Sequence, residues 1–339
     1  MIKVKSVYYC NLDKVQKAAY DDIVSGLKAM KRTIPVKGIK DFTPIIETIL
    51  YDYPELFYVD KRYQYQAGLR EIQIKPKYIF DQVSVKKIQS QMDDIVNGFI
   101  AENINEHQSD YDKALVIHDF LKTNIQYDYD ALNSFGRGTT GFEHSYTSYG
   151  ALVKHKCVCA GFAAAMKLIC DKIGLECHIV SGIGSSTLFS GAHAWNIVKI
   201  NGYYHHVDVT WDNQFSDDLQ IPNYCYFNLS DDSIAKDHTW ERKNYPVCDD
   251  EPYNYFRVNQ SLMDSQAQLE KYIYENMLSE EPLIMFKVKK DSILEREIAG
   301  CIDRLVNNAS AKCKHTRMEQ YSYQWMPEQL VYMLKIDYC

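Results

Sequence analysis

The chain has 339 residues with 46% apolar composition, enough for two or three units with real cores. Its net charge is -7 and it carries no extended basic patch, which argues against a nucleic-acid partner. No run of about 18 apolar residues exists, so a membrane span is excluded. The first residues, MIKVKSVYYCNLDKV, lack the apolar stretch of a signal peptide. With ten cysteines in no dense regular spacing, reduced thiols in the cytoplasm are expected.

Residues 2–9 alternate like a strand. Leu12 to Met30 has helical spacing, with Val15, Ala18, Ala19, Ile23 and Leu27 on one side. A helix near Thr43–Tyr51 is ended by Pro54, strands follow at 57–59 and 71–78, and a long helix covers 83–104. These form an N-terminal α/β accessory domain, 1–105. Next come an amphipathic helix over 111–125, a Gly/Ser/Thr-rich loop over 133–147, a short helix at 149–154 and a helix over 159–173 that stops at Gly174. Strands are expected at 176–181, 193–200, 203–209 and 224–229, closing a central domain, 106–251. The last part, 252–339, reads as a second small α/β region. It has helices at 267–277 and 293–305, a strand at 282–288, and strands at 321–325 and 330–336 that can pair.

The central domain carries the chemistry. Asn201-Gly202 separates two strand-like runs, and a two-residue Asn-Gly loop is a strong hairpin signal because a type I′ turn needs positive φ twice. In that register Ile200 faces Tyr203, and partners have numbers summing to 403. Trp195 then faces Asp208, and His193 faces Thr210. Side chains alternate along a strand, so His193 and Asp208 become diagonal neighbours on one face, with Cβ atoms about 7 Å apart. A base is thus set beside an acid that can orient it.

Cys159 opens the 159–173 helix. Unpaired backbone N–H groups and the helix dipole favour thiolate there, lowering the pKa below about 8.5. Ala160 and Gly161 are small, which lets substrate approach the sulfur and leaves the Cys159 N–H free for an oxyanion. Cys159 would attack an amide carbonyl, His193 would protonate the leaving amine and then activate water or an amine, and Asp208 would fix the imidazole. Trp195 would shield the His193–Asp208 bond.

The segments Val158-Cys159-Ala160-Gly161-Phe162-Ala163, His193-Ala194-Trp195-Asn196 and Val207-Asp208-Val209-Thr210-Trp211-Asp212 resemble the three core motifs of the bacterial transglutaminase-like superfamily. The likeness continues through Ile117-His118-Asp119-Phe120-Leu121, Tyr127-Asp128 and Tyr149-Gly150-Ala151-Leu152, covering roughly residues 105–250. The resemblance implies an α+β, papain-like core, in which a helix bearing the cysteine packs on an antiparallel sheet bearing histidine and aspartate. It implies catalytic roles for Cys159, His193 and Asp208 and a peptide or protein substrate. Family activities include cross-linking at glutamine, deamidation and peptide hydrolysis, and some members are inactive binding modules. No metal or organic cofactor is implied. Animal-type transglutaminases use calcium, and no matching acidic loop is seen in this sequence. An aromatic residue upstream of the cysteine often lines the cleft in the family; Tyr127 is the candidate.

Blander roles stand beside these. Cys157 competes as nucleophile but precedes the helix. Cys157, Cys159, His205 and His206 make a poor zinc set, because neighbouring strand histidines point to opposite faces. His206 shares the Asp208 face and either supports the site or is a satisfied half-buried histidine. Trp211 is more often core than substrate contact. His144 and Ser145 lie in a loop that either borders the cleft or is solvated. Tyr224, Tyr226 and Phe227 read as sheet packing. The expected activity is a peptidase or deamidase acting through a cysteine thioester. The alternatives are a cross-linking transglutaminase, or a non-catalytic peptide-binding module with the same fold.

Overall fold

The computed structural model of the chain describes residues 6–39, 41–68, 71–134, 140–186, 190–213, 223–313 and 317–339. Packing divides the chain into two units, Met1–Asp218 with Tyr226–Asp250, and Leu219–Cys225 with Glu251–Cys339.

In the first unit the Ser6 hydroxyl accepts the Tyr9 N–H at 3.2 Å and starts helix α1 (Val7–Asn11). This corrects the strand expected over 2–9: the cap gives the backbone a helical alternative, and residues 1–5 lie outside the described residues. Helix α2 (Lys14–Lys28) begins with a reciprocal cap between Asp13 and Gln16 and buries Ala19, Tyr20, Ile23, Val24 and Leu27. It lies on a sheet of order β1-β3-β2, built from β1 (Ile34–Lys37), β2 (Val59–Ala67) and β3 (Glu71–Tyr78). The sequence offers no strand signal at β1 because Pro35 interrupts it; as an edge strand, β1 tolerates the proline. Helices α3 (Thr43–Asp52) and α4 (Gln82–Asn103) complete this part.

Helix α5 (Asp110–Asn124) is capped by Ser109 and Asp112 and buries Tyr111, Ala114, Ile117, His118 and Leu121. Strands β4 (Gln126–Tyr127) and β5 (Lys156–Cys157) pair in parallel. Between them run α6 (Tyr129–Ser134), a 3-10 turn at Glu143–Tyr146 and α7 (Ser148–Leu152). Helix α8 (Cys159–Ile173) ends at Gly174, whose φ of 78° is the left-handed stop that its position suggests.

The central sheet is antiparallel, with order β10-β6-β7-β8-β9. Its strands are β6 (Cys177–Ser185), β7 (Ser190–Ile200), β8 (Tyr203–Val207), β9 (Phe227–Leu229) and β10 (His238–Trp240). Asn201 and Gly202 have φ of 48° and 93°, and the expected register holds from Ile200↔Tyr203 to Asn196↔Val207. It stops there. The pairings of Trp195 with Asp208 and His193 with Thr210 do not form, because β8 ends at Val207 and residues 209–213 are helical. Helix α8 is tied to the sheet by the Asn196 side chain, whose Nδ2 donates to the Ala163 carbonyl at 3.0 Å.

The second unit has a sheet of order β11-β12-β14-β13: β11 (Leu262–Met263), β12 (Leu283–Val288), β13 (Met318–Met326) and β14 (Val331–Tyr338). Helices Gln266–Leu278 and Ile293–Lys312 pack with it around Leu269, Ile273, Phe286, Ile298, Leu305 and Leu334. The expected pairing of the last two strands is present, with Tyr323 opposite Leu334. Among the described residues no helix is long and apolar enough to cross a membrane.

Candidate functional site

His193 on β7 and Asp208 just past β8 meet as a buried pair, Nε2 to Oδ2 at 2.6 Å. The carboxylate is held by more than that bond. Its Oδ1 accepts the N–H groups of Thr210 at 3.0 Å and Trp211 at 3.2 Å, so Asp208 caps the helical residues 209–213. That cap is why the strand ends where it does. Oδ2 also faces His238 Nε2 at 3.1 Å, and His238 Nδ1 lies 2.6 Å from Asp237, which accepts the Tyr226 hydroxyl at 2.7 Å. Burial pushes the Asp208 carboxyl up, but the His193 charge and the bonds from both imidazoles hold it well below the usual carboxylate range.

With Nε2 committed to Asp208, His193 has Nδ1 left to act on Cys159, and each group favours the charged form of the other. Burial opposes charge on both groups. The thiol is nevertheless held below its ordinary value by the His193 bond and charge and by the Ala194 N–H. Burial likewise disfavours imidazolium, but Asp208 and then Cys159 raise His193 to about 10. Both shifts favour the thiolate–imidazolium form of the pair. Cys159 is partly accessible, whereas Cys157 is fully buried and its thiol is pushed well up by burial and by Cys159.

The turn before Cys159 is fixed from below. Ser145 donates to Asp128 at 2.6 Å, and its carbonyl accepts the Val158 N–H at 3.0 Å. Ser145 is fully buried, so this part of the 133–147 loop is an anchor and not a solvated tip. Gly161 has a different reason from the expected one. A Cβ there would lie 2.5 Å from Cys157 Cβ and 2.9 Å from the Ser145 carbonyl, so its small size serves packing beneath the helix start.

Trp195 stacks on His193, with centroids 5.8 Å apart at 20°, and its Nε1 donates to His206 Nδ1 at 2.9 Å. His206 Nε2 faces Asp231 at 2.8 Å, and burial first of all lowers the His206 pKa. Trp211 is buried against His193 at 5.6 Å and His238 at 4.3 Å. Trp195, Trp211 and Tyr226 thus pack about the imidazoles and shield them from water. Glycines on β6 make room for the indoles: a Cβ at Gly182 would meet Trp195 at 2.8 Å, and one at Gly184 would meet Trp211 at 2.9 Å. Tyr127 is buried, and β4–β5 pairing brings it into the field of Cys159; burial first, then that charge, raises its phenol. The upstream motif has a structural part as well. His118 Nε2 lies 2.9 Å from Asp212, and Asp212 accepts the Tyr226 N–H at 3.1 Å, tying α5 to the segment after Asp208.

His238, Asp237 and Asp231 escaped the sequence reading. His238 sits on a three-residue edge strand, too short for alternation to mark.

Two clusters among the described residues bring three ligand-type atoms within 4.8 Å of one another: His193–Asp208–His238 and His206–Asp231–Cys248. Neither suits a metal. In the first, the Nε2 atoms of both imidazoles are engaged by the same Asp208 oxygen. In the second, Trp195 donates to His206 Nδ1, which puts the ring proton on Nε2, facing Asp231, and leaves no lone pair there for a metal.

A model of the transglutaminase-like superfamily matches residues 98–209, a span containing Cys159, His193 and Asp208. Kyphoscoliosis peptidase of Mus musculus is 24% identical over 217 residues, covering 60% of this chain and 31% of that protein. The Homo sapiens protein of that name is 25% identical over 200 residues, covering 55% of this chain and 29% of that protein. The chain thus spans less than a third of the length of these curated relatives. A solved TGase structure is similar at a TM-score of 0.31 and 12% identity, covering 52% of this chain and 50% of that one. The chain contains a transglutaminase-like superfamily domain, residues 98–209.

Proposed function

We propose that this chain is a papain-like cysteine enzyme that attacks peptide or glutamine-type amides through a thioester on Cys159, acting as a peptidase or deamidase. The observation that carries the reading is the buried His193–Asp208 pair at 2.6 Å, whose imidazole lowers the Cys159 thiol and is raised in turn by Asp208 and Cys159. The Cys159 thiolate adds to the amide carbonyl. Its oxyanion is met by the Cys159 N–H, which stands at the first helical position without an intrahelical acceptor, and by the Tyr127 phenol, kept protonated by its raised pKa. The C–N bond breaks as His193 gives its proton to the leaving amine, leaving a thioester. Neutral His193 then takes a proton from water as the hydroxide adds to the thioester carbonyl, and the C–S bond breaks to release the acid, leaving thiolate beside imidazolium. Asp208 holds the ring and stabilises its charged form throughout. Residues 1–105 and 252–339 serve as accessory regions to this 106–251 catalytic domain.

The kyphoscoliosis peptidase relatives support a peptide substrate. Incubating wild type and Cys159→Ala with glutamine-containing peptides, with and without a labelled amine, separates cleavage, deamidation and amine incorporation by mass spectrometry. Cleavage or deamidation that Cys159→Ala abolishes is expected. Amine incorporation as the main product would move the reading to cross-linking, and no product of any kind would move it to a binding module.

A further inference from the structure

The first unit holds a cavity of about 390 Å³, within the range of small-ligand clefts, and Ala160, the residue after Cys159, lines it. Its floor is Ala160, Ala164 and Ile179. Ala160 and Ala164 are four residues apart on α8, so their methyl groups share one helix face. That face begins at the residue after Cys159 and is kept shallow by small side chains. Larger residues on it would fill the space.

The opposite wall comes from outside the 98–209 span. It is formed by Tyr51, Pro54, Leu56 and Phe57, at the end of α3 and the turn after it. This wall is rigidly attached. Ser148 on α7 donates to the Pro54 carbonyl at 2.7 Å, and Tyr149 packs against Phe57 with centroids 5.9 Å apart. Arg62 also lines the cavity and bonds Asp60 and Glu143 at 2.7 Å each, with Lys77 on Asp60 at 2.9 Å. These two acids and two bases balance. Lys61, also lining the cavity, makes no ion pair among the described residues and lies 5.8 Å from the Tyr51 ring centroid.

We propose that this cavity is a specificity subsite taking one large apolar side chain, aromatic or branched aliphatic, of a peptide lying across Cys159. The argument is a cavity lined by Ala160, the residue that follows Cys159, with an apolar floor and wall and a volume that admits a phenylalanine or leucine side chain. The unpaired Lys61 ammonium disfavours a basic side chain in the same place. The inference rests on the catalytic reading only for laying the peptide across Cys159.

The test reads binding and chemistry separately. Labelled peptides with a central glutamine carry Phe, Leu, Ala or Lys at each of the flanking positions in turn. Their binding to Cys159→Ala protein is measured by fluorescence anisotropy. At one position Phe and Leu should bind about 10-fold tighter than Ala, with Lys weakest. Ala164→Leu, which fills the floor, should erase that preference while the rate of Cys159 alkylation by iodoacetamide in an otherwise wild-type chain stays unchanged. Tyr51→Ala, which removes wall area, should weaken Phe binding several-fold. Equal binding of Phe and Ala at every position overturns the proposal, as does a preference that both variants leave intact. A Phe preference lost in Ala164→Leu, with no turnover of the bound peptide by wild type, would uphold the subsite and sink the catalytic reading alone.

Discussion

His238 presents Nε2 at 3.1 Å to the same Asp208 oxygen that His193 occupies at 2.6 Å. The carboxylate therefore answers to two imidazoles and two backbone N–H groups, all buried. Both His238 nitrogens face carboxylates, Nε2 toward Asp208 and Nδ1 toward Asp237. Tyr226, Asp237, His238, Asp208 and His193 form one hydrogen-bonded chain, and His193 at its end lowers the Cys159 thiol.

His238→Ala should lower kcat on a glutamine peptide by roughly 10- to 100-fold with little change in KM, since a charge-assisted hydrogen bond contributes about 1.5–3 kcal/mol. The pH profile carries the diagnosis. Asp208 is depressed partly by His238, so removing that donor lets its pKa rise, and activity should be lost at a higher pH on the acid side. An acid limb superimposable on wild type would show that His238 does not act through Asp208.

The Cys159–His193 pair predicts a flat window of thiol reactivity. Below the depressed Cys159 value the sulfur is protonated, and above the His193 value of about 10 the imidazolium is lost. Between them, iodoacetamide should alkylate Cys159 at a near-constant rate and faster than any other cysteine. His193→Asn removes the partner, so the rate should instead climb toward about pH 8.5 and fall by roughly 10-fold or more near pH 6.5. Cys157 should stay unmodified in the native protein, its thiol being buried and pushed up. An unchanged pH dependence in His193→Asn would defeat the ion-pair description.

Local signals reached far into this site. Asn201-Gly202 fixes a hairpin through the conformational needs of two residues, and the register followed for five pairs. Helix α8 is bounded as its sequence suggests because Gly174 supplies a left-handed stop. The failures are where non-local or competing local interactions decide. Asp208 leaves the ladder because its side chain caps residues 210 and 211, a known habit of aspartate that the alternating pattern of 203–209 conceals. His238 reaches Asp208 across thirty residues through an edge strand of three. Gly161 stands two residues after Cys159, yet what demands a glycine is Cys157 underneath.

That distinction is measurable. Gly161→Ala should destabilise the protein by about 1–3 kcal/mol in urea unfolding, the usual cost of overpacking, because its methyl would fall 2.5 Å from Cys157 Cβ and 2.8 Å from Cys157 Sγ. Adding Cys157→Ala removes the sulfur and should recover part of that loss, although the Cβ and the Ser145 carbonyl remain. A Gly161→Ala protein as stable as wild type but unable to bind peptide would return Gly161 to a role in substrate access.

The second unit contains a different electrostatic problem. Lys287 on β12 is almost wholly buried, and its Nζ has no hydrogen-bond partner among the described residues. Burial pushes its pKa below the ordinary lysine value, with Glu251 opposing. In the unfolded chain the group titrates near 10.4, so between the depressed folded value and about 10.4 the unfolded state binds more protons and stability rises with pH. Lys287→Met keeps the length and apolar stem while deleting the charge. It should raise unfolding stability at pH 7 by about 1–3 kcal/mol, the scale on which a buried unpaired polar group destabilises. The advantage over wild type should shrink at pH 9.5, because releasing the lysine proton on folding costs less as the pH nears about 10.4. Paired urea titrations at the two pH values measure both effects, and a gap that does not narrow would place the Lys287 ammonium in a solvated or paired setting.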